Sequence, residues 1–96
     1  MFAICNVYAG QGAGALYDRL FESSAEIDDL MRDIPGFVSY TMVRTKEGGY
    51  SIVVVENQSD LPEVGKIVGA YIQGLAAELG PIDPPESHMG PVGLHI

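Results

Sequence analysis

The stretch VYAGQGAGALYDRL, residues 7–20, raises the possibility of a nucleotide site, because Gly10, Gly12 and Ala15 match the loose dinucleotide-binding pattern G-x-G-x-x-A. Such a site needs a parallel strand–helix–strand unit in a doubly wound sheet and an acidic residue near the end of the following strand. Here the strand after the helix leads into a hairpin, and 96 residues are too few for a doubly wound domain. We therefore expect the glycines to turn the chain from a strand into a helix, with room for at most a modest anion site at the helix N-terminus.

An asparagine and two histidines are the candidates for catalysis. Asn6 is a polar residue within an apolar strand, so its amide either bonds to neighbouring protein groups or hydrogen-bonds a substrate carbonyl or phenolate. Histidine is the side chain that titrates near neutrality. His88 falls in the proline-rich stretch 82–91, which we expect to be a loop, whereas His95 falls in VGLHI (92–96), the expected last strand. If that strand lies beside the first, His95 can act as a general base near Asn6; the alternative is a hydrogen-bonded structural histidine.

Four tyrosines and one arginine are the candidates for substrate binding. Tyr8, Tyr40, Tyr50 and Tyr71 could line a pocket with their hydroxyl groups, or they could be aromatic residues of a core or an interface. Arg44 shares a strand face with Tyr40, so it either holds an anionic ligand or pairs with Glu56 on the adjacent strand.

No metal site or cofactor motif is apparent. The two histidines lack the spacing of metal ligands, and Cys5, the single cysteine, has no partner motif and cannot form an internal disulfide. The opening MFAICNVYAG has no basic residue and too short an apolar run for a signal peptide. We therefore expect a reduced, cytoplasmic protein that uses no metal or cofactor.

The charge balance argues against polyanionic partners. The chain has 13 acidic and 5 basic residues and a net charge of −8, whereas nucleic-acid binding depends on Lys and Arg that neutralise phosphates. The same balance argues against anionic membranes. Many of the acids fall within residues 18–33, which form either a solvated helix face or a docking surface for a basic partner.

The order of predicted elements indicates one ferredoxin-like α+β domain over residues 1–96. Apolar and β-branched runs predict strands, helical spacing of apolar residues predicts helices, and the order is βαββαβ. This order gives an antiparallel sheet with two helices on one face. The predicted strands are 2–8, 37–45, 50–56 and 92–96, and the predicted helices are about 13–33 and 60–79.

Both faces of the predicted sheet are apolar. In the first strand Phe2 and Ile4 point one way while Ala3, Cys5 and Val7 point the other. A sheet with one face in water should instead alternate apolar and polar residues. Because the helices cover only one face, we expect a second copy of the chain, related by a two-fold axis, to cover the other.

The segment IPGFVSYTMVRT, followed by GGYSIVVVEN and an amphipathic second helix, resembles the antibiotic biosynthesis monooxygenase-like group of the dimeric α/β barrel superfamily. The resemblance covers residues 2–79 and implies that two sheets pair face to face as a barrel. Enzymes of this group include cofactor-independent oxygenases of phenolic polyketides and haem-degrading oxygenases. The latter use an Asn on the first strand, a Trp, and a His on the second helix. Asn6 matches the first, but the chain has no Trp, and its second helix offers Tyr71 and no His.

The resemblance therefore implies a cofactor-independent monooxygenase acting on an aromatic or quinone-like molecule. Asn6 and the tyrosines would orient the substrate, and His95 would remove a proton. The alternative is a non-catalytic dimer that binds a small molecule or serves as an accessory module. The lack of a coherent acid–base set favours that alternative.

Overall fold

The computed structural model describes all 96 residues and has the ferredoxin-like α+β architecture that the sequence predicts. One sheet contains the strands in the order β2-β3-β1-β4, and every neighbouring pair is antiparallel. The elements in chain order are β1 (Phe2–Tyr8), α1 (Ala13–Glu22), α2 (Ser24–Arg32), β2 (Phe37–Arg44), β3 (Gly49–Val55), a 3₁₀ turn (Gln58–Asp60), α3 (Leu61–Leu79) and β4 (Glu86–Pro91).

The core lies between one face of the sheet and the helices. Its fully buried side chains come from α1 and from alternate positions of β3, namely Leu16, Tyr17, Val53 and Val55. Gly49 is required at the start of β3, because a side chain there would occupy the space of the Tyr17 ring. The ring therefore sits directly on the sheet, over the start of β3 and the end of β1.

The long first helix predicted over 13–33 is two helices, α1 and α2, that meet at Ser23. The Ser23 N–H donates to the carbonyls of both Arg19 and Leu20, so the last turn of α1 tightens before α2 begins. No glycine or proline marks this break. The buried residues Leu20 and Ile27, seven positions apart, preserve the helical period across it. Periodicity alone therefore does not reveal the break.

The prediction of a last strand at 92–96 is wrong. The strand is β4, Glu86–Pro91, and it lies within the stretch that we expected to be a loop. The reason is a pair of hydrogen bonds between the loop after β1 and the loop before β4. The N–H of Asp83 donates to the carbonyl of Gln11, and the Gln11 N–H donates to the Asp83 carboxylate at 2.8 Å. These bonds bring the chain into the sheet at Glu86, opposite Val7.

The sheet face opposite the helices presents mostly apolar side chains. Antiparallel pairing places the outward residues in rows, with Cys5 beside Ile52 and Ile52 beside Thr41. Most of these side chains are only partly buried. The main members of the face are Ala3, Cys5, Val7, Val43, Tyr50, Ile52 and Val54. None of the three helices is long and apolar enough to cross a membrane.

Candidate functional site

A cleft of about 310 Å³ lies between the helix-facing side of the sheet and α3. Its walls are apolar and come from β1, β3 and α3, mainly through Ile4, Val53, Val64, Val68 and Ile72. Two glycines of α3, Gly65 and Gly69, complete the wall on the helix side. A Cβ added at either glycine would meet nothing within 4 Å, so the missing side chains leave open space.

The polar groups of the cleft are brought together by strand register. Asn6 lies opposite Ser51 of β3 on one side and opposite Ser87 of β4 on the other. The Ser87 hydroxyl donates to the Asn6 Oδ1 atom at 2.5 Å. This bond engages the amide oxygen, so the amide nitrogen is the group of Asn6 that is available to a ligand. Asn6 can therefore fill both roles that the sequence left open, since its amide oxygen bonds to Ser87 and its amide nitrogen is free to bond to a ligand.

Two tyrosines join these groups. Tyr8 follows Asn6 on the same face of β1, and Tyr40 reaches the cleft from β2. Burial raises the pKa of Tyr40 to about 12, and the hydrogen bond with Ser51 offsets part of this rise. Burial also raises the pKa of Tyr8. Both phenols are therefore protonated at neutral pH and can donate a hydrogen bond.

Two members of this cluster, Tyr17 and Ser51, were not predicted from the sequence. Tyr17 contacts Tyr8 with ring centroids 5.8 Å apart, and burial raises the pKa of its hydroxyl, a rise that Ser51 partly offsets. Ser51 is buried, with 7% of its surface exposed. A signal was present, since Ser51 is the polar residue that alternates with Val53 and Val55 on the buried face of β3.

The lining of the cleft carries no charged side chain. None of its 13 residues is Asp, Glu, Lys, Arg or His. The three arginines form ion pairs elsewhere, in the pairs Arg19–Glu78, Arg32–Asp28 and Arg44–Asp18. The site therefore suits an uncharged ligand that forms a few hydrogen bonds at one end.

Arg44 and Tyr71 lie outside the cleft. The Arg44 Nε atom donates to Asp18 of α1 at 2.9 Å, and its guanidinium also donates to the Gly48 carbonyl at 2.8 Å. Its partner is therefore Asp18, and not Glu56 as the sequence suggested. Tyr71 faces the helices and lines a groove between α3 and the α1–α2 pair.

The histidines also lie away from the cleft. Because the last strand is β4, His95 follows the sheet and is exposed, so the prediction that it lies in a strand beside Asn6 is wrong. His88 takes the place beside β1, opposite Cys5, where it points to the face away from the helices. Its Nε2 atom is 2.9 Å from the Glu86 carboxylate.

The glycine loop after β1 is closed by the chain itself. Gly12 has φ +78° in the turn from β1 to α1, and glycine is the residue that adopts this left-handed conformation without strain. A side chain at Gly10 would collide with the Asp83 carboxylate, and one at Gly12 would collide with the Pro81 carbonyl. The carboxylate also opposes an anion at this loop. No group of three or more His, Cys, Asp or Glu side chains is arranged to hold a metal ion.

No protein-family model and no curated protein matches the chain. Solved structures do match. A monooxygenase from the gene ActVA-Orf6 of Streptomyces coelicolor, in complex with the ligand nanaomycin D, has a TM-score of 0.64 and 18% identity, over 99% of this chain and 89% of that one. SnoaB, a cofactor-independent oxygenase from Streptomyces nogalater, has a TM-score of 0.65 and 18% identity, over 99% of this chain and 95% of that one.

A third similar structure is a dimeric ferredoxin-like protein of unknown function from Jannaschia sp. CCS1. It has a TM-score of 0.63 and 16% identity, over 95% of this chain and 98% of that one. The three likenesses confirm the ferredoxin-like fold of the chain. Because a fold hosts many functions, activity has to be argued from the cleft.

Proposed function

We propose that the cleft binds an aromatic or quinone-like small molecule and that the protein acts on it as a cofactor-independent monooxygenase. The observation that carries this proposal is the pairing of Asn6 with Ser51 and Ser87, together with Tyr40, in a cleft whose other walls are mainly apolar. A flat ring packs against the walls formed by Ile4, Val53 and Val68. Its carbonyl or hydroxyl oxygen then accepts hydrogen bonds from the Asn6 amide and the Tyr40 hydroxyl.

The reaction needs no group beyond the substrate and oxygen. A phenol with a free para carbon reacts with O₂ to give a para-quinone and water, and the deprotonated substrate supplies the first electron to O₂. The contribution of the cleft is to hold the ring and to fix its oxygen. Because no lining side chain titrates near neutrality, the proton of the substrate leaves to solvent.

Of the residues that the sequence singled out, Asn6, Tyr8 and Tyr40 form the proposed site. Asn6 and Tyr40 contact the substrate oxygen, and Tyr8 closes the polar end beside them. The proposal assigns no contact with the ring to Arg44, Tyr71 or His95, because each lies outside the cleft.

Oxygen uptake tests the proposal. The purified protein is incubated with a panel of phenols and naphthols, O₂ consumption is recorded with an electrode, and products are identified by mass spectrometry. We expect one O₂ consumed per quinone formed, and a loss of about 3- to 10-fold in kcat/KM for Tyr40→Phe, the effect of one hydrogen bond. Tyr50→Phe, on the opposite face of the sheet, is the control and should leave the rate unchanged. No uptake with any compound would refute the enzymatic proposal.

The second candidate function is a non-catalytic binding or accessory module. It is favoured by the absence of any acid–base side chain in the cleft. In that case calorimetry should detect binding of the same aromatic molecules, while the oxygen electrode records no consumption above the rate without protein.

We also propose that the protein is a homodimer paired through the sheet face opposite the helices. The partly buried apolar side chains of this face, including Val43 and Ile52, support the proposal. The similar protein from Jannaschia sp. CCS1 is itself described as dimeric.

A cytoplasmic location is part of the same proposal. Cys5 is the single cysteine of the chain and is free, which suits a reducing compartment. Measuring the location with an antibody against the native protein in fractionated cells tests it.

A further inference from the structure

The cleft continues into a second, apolar groove. This groove has a volume of about 600 Å³ and lies between the N-terminal end of α3 and the edge strand β4. Ile4 and Gly65 line both the cleft and the groove. The two cavities are therefore neighbouring parts of one trough that runs along α3 toward its N-terminus.

The trough changes from polar to apolar along its length. On β1, Asn6 lies in the polar part of the trough, and Ile4, two residues earlier in the chain, lies at the boundary. On β4, Ser87 lies in the polar part, and Met89, two residues later, lies in the groove. Leu61 and Pro62 complete the apolar part. Met89 has 63% of its surface exposed, so covering it removes apolar surface from water.

Gly65 stands where the two parts meet. A Cβ at this position would meet nothing within 4 Å, so no packing contact requires a glycine. A glycine in a helix interior is about 1 kcal/mol less favourable than alanine. Gly65 is exposed and lines both the groove and the cleft, so a branched side chain here would project into the space where the two adjoin.

We propose that the natural ligand carries an apolar extension on its ring, and that this extension passes Gly65 and lies in the groove. The inference rests on the proposed function, because the ring occupies the cleft described above. The ligand is an uncharged ring with an oxygen substituent at one end and an alkyl or second-ring substituent at the other. Gly65 is the specificity-determining residue that admits the extension.

The experiment compares two probes by isothermal titration calorimetry under argon. The probes are 2-methyl-1,4-naphthoquinone and its 2-octyl homologue, which share the ring and differ in the apolar tail. Each methylene removed from water strengthens binding by about fourfold, so burial of two or more predicts at least about tenfold tighter binding of the octyl compound. Gly65→Val should reduce this ratio to about two or less.

Gly74→Val is the matched control. Gly74 lies on the same helix, also has nothing within 4 Å of an added Cβ, and lines the groove on the side of α1 and α2. Gly74→Val changes the helix propensity of α3 by the same amount as Gly65→Val. It should leave the affinities for the methyl and the octyl quinone unchanged. If Gly65→Val does not fold, as judged by circular dichroism, Met89→Gln is used instead, and it should lower the affinity for the octyl compound alone.

The outcomes separate this inference from the proposed function. If neither quinone binds the native protein, the proposed function fails. If both bind equally, or if the preference for the octyl compound survives both Gly65→Val and Met89→Gln, the ring site stands and the groove does not hold the extension. Equal binding is also the result expected if a second copy of the chain already covers the groove.

Discussion

Tyr40 links the chemistry of the cleft to the pH dependence of stability. Its pKa is about 12 in the folded protein, against about 10 for a solvated tyrosine. Since the folded state holds the proton more tightly, the stabilisation is fully present below about pH 10 and is lost as the pH rises toward about 12. The difference corresponds to about 2–3 kcal/mol.

We therefore expect Tyr40→Phe to flatten the alkaline side of the stability profile. Urea unfolding at pH 8 and at pH 11 measures the loss for the native protein and for the variant. The native protein should lose more of its free energy of unfolding between the two pH values, and Tyr50→Phe should behave like the native protein. Equal losses in the native protein and Tyr40→Phe would contradict this assignment.

The uncharged cleft predicts that the pH dependence of the reaction belongs to the substrate. Two phenols whose pKa values differ by about 2 should give kcat/KM profiles displaced by about the same amount. The oxygen electrode measures both profiles. A limb that stays at about pH 6.5 with both substrates would instead indicate a histidine. His95→Gln and His88→Gln should leave both profiles unchanged, because both side chains lie outside the cleft.

Individual residues of the candidate site were predictable from the sequence where their polarity contrasts with that of their neighbours. Asn6 stands out within FAICNVY, and the structure places it in the cleft. Tyr17 and Ser51 were missed because a tyrosine at helical spacing and a serine among valines are equally typical of a core. His95 was misplaced because its position depends on where β4 begins, which is set by the contacts of Asp83.

At the scale of elements, the glycines of α3 and of the turn before β2 should respond oppositely to alanine. Gly74 is helical, and an added Cβ meets nothing, so Gly74→Ala should raise the free energy of unfolding by up to about 1 kcal/mol. Gly36 has φ +76°, and an added Cβ would collide with the Asp60 carboxylate. Gly36→Ala should therefore be destabilising by at least about 1 kcal/mol.

Thermal and urea unfolding of the two variants measures these changes. A stabilising effect of Gly36→Ala would show that the turn relaxes without strain. A destabilising effect of Gly74→Ala would show that α3 packs against something at this position.

The existence and order of the elements were predictable, whereas two boundaries were not. The apolar, β-branched runs of β2 and β3 and the apolar stripe of α3 are local signals, and the structure confirms all three elements. The break at Ser23 and the start of β4 depend on particular hydrogen bonds. The residues that form these bonds have sequences typical of an uninterrupted helix and of a loop. Prolines at 84 and 85 suggested a loop as far as residue 91, yet they only precede the strand.

At the scale of the whole molecule, we expect a charge on the open sheet face to prevent dimerisation. Ile52 lies at the middle of that face, between Cys5 and Thr41. Because a buried unpaired lysine is costly, Ile52→Lys should convert the dimer into a monomer in size-exclusion chromatography with light scattering. Ala25→Lys, on the exposed side of α2, is the control and should remain dimeric. A native protein that is monomeric would contradict the dimer proposal.

The pairing of Asn6 with Ser87 also determines when the site comes into existence. The two residues are 81 positions apart, so β1 is synthesised long before the strand that completes its hydrogen bonding. Closing so long a loop is entropically costly, and such contacts form late in folding. Until β4 has left the ribosome, β1 has a free edge that can pair with other chains. The polar end of the cleft is therefore assembled last, so the candidate site is complete only when synthesis and folding of the sheet have finished.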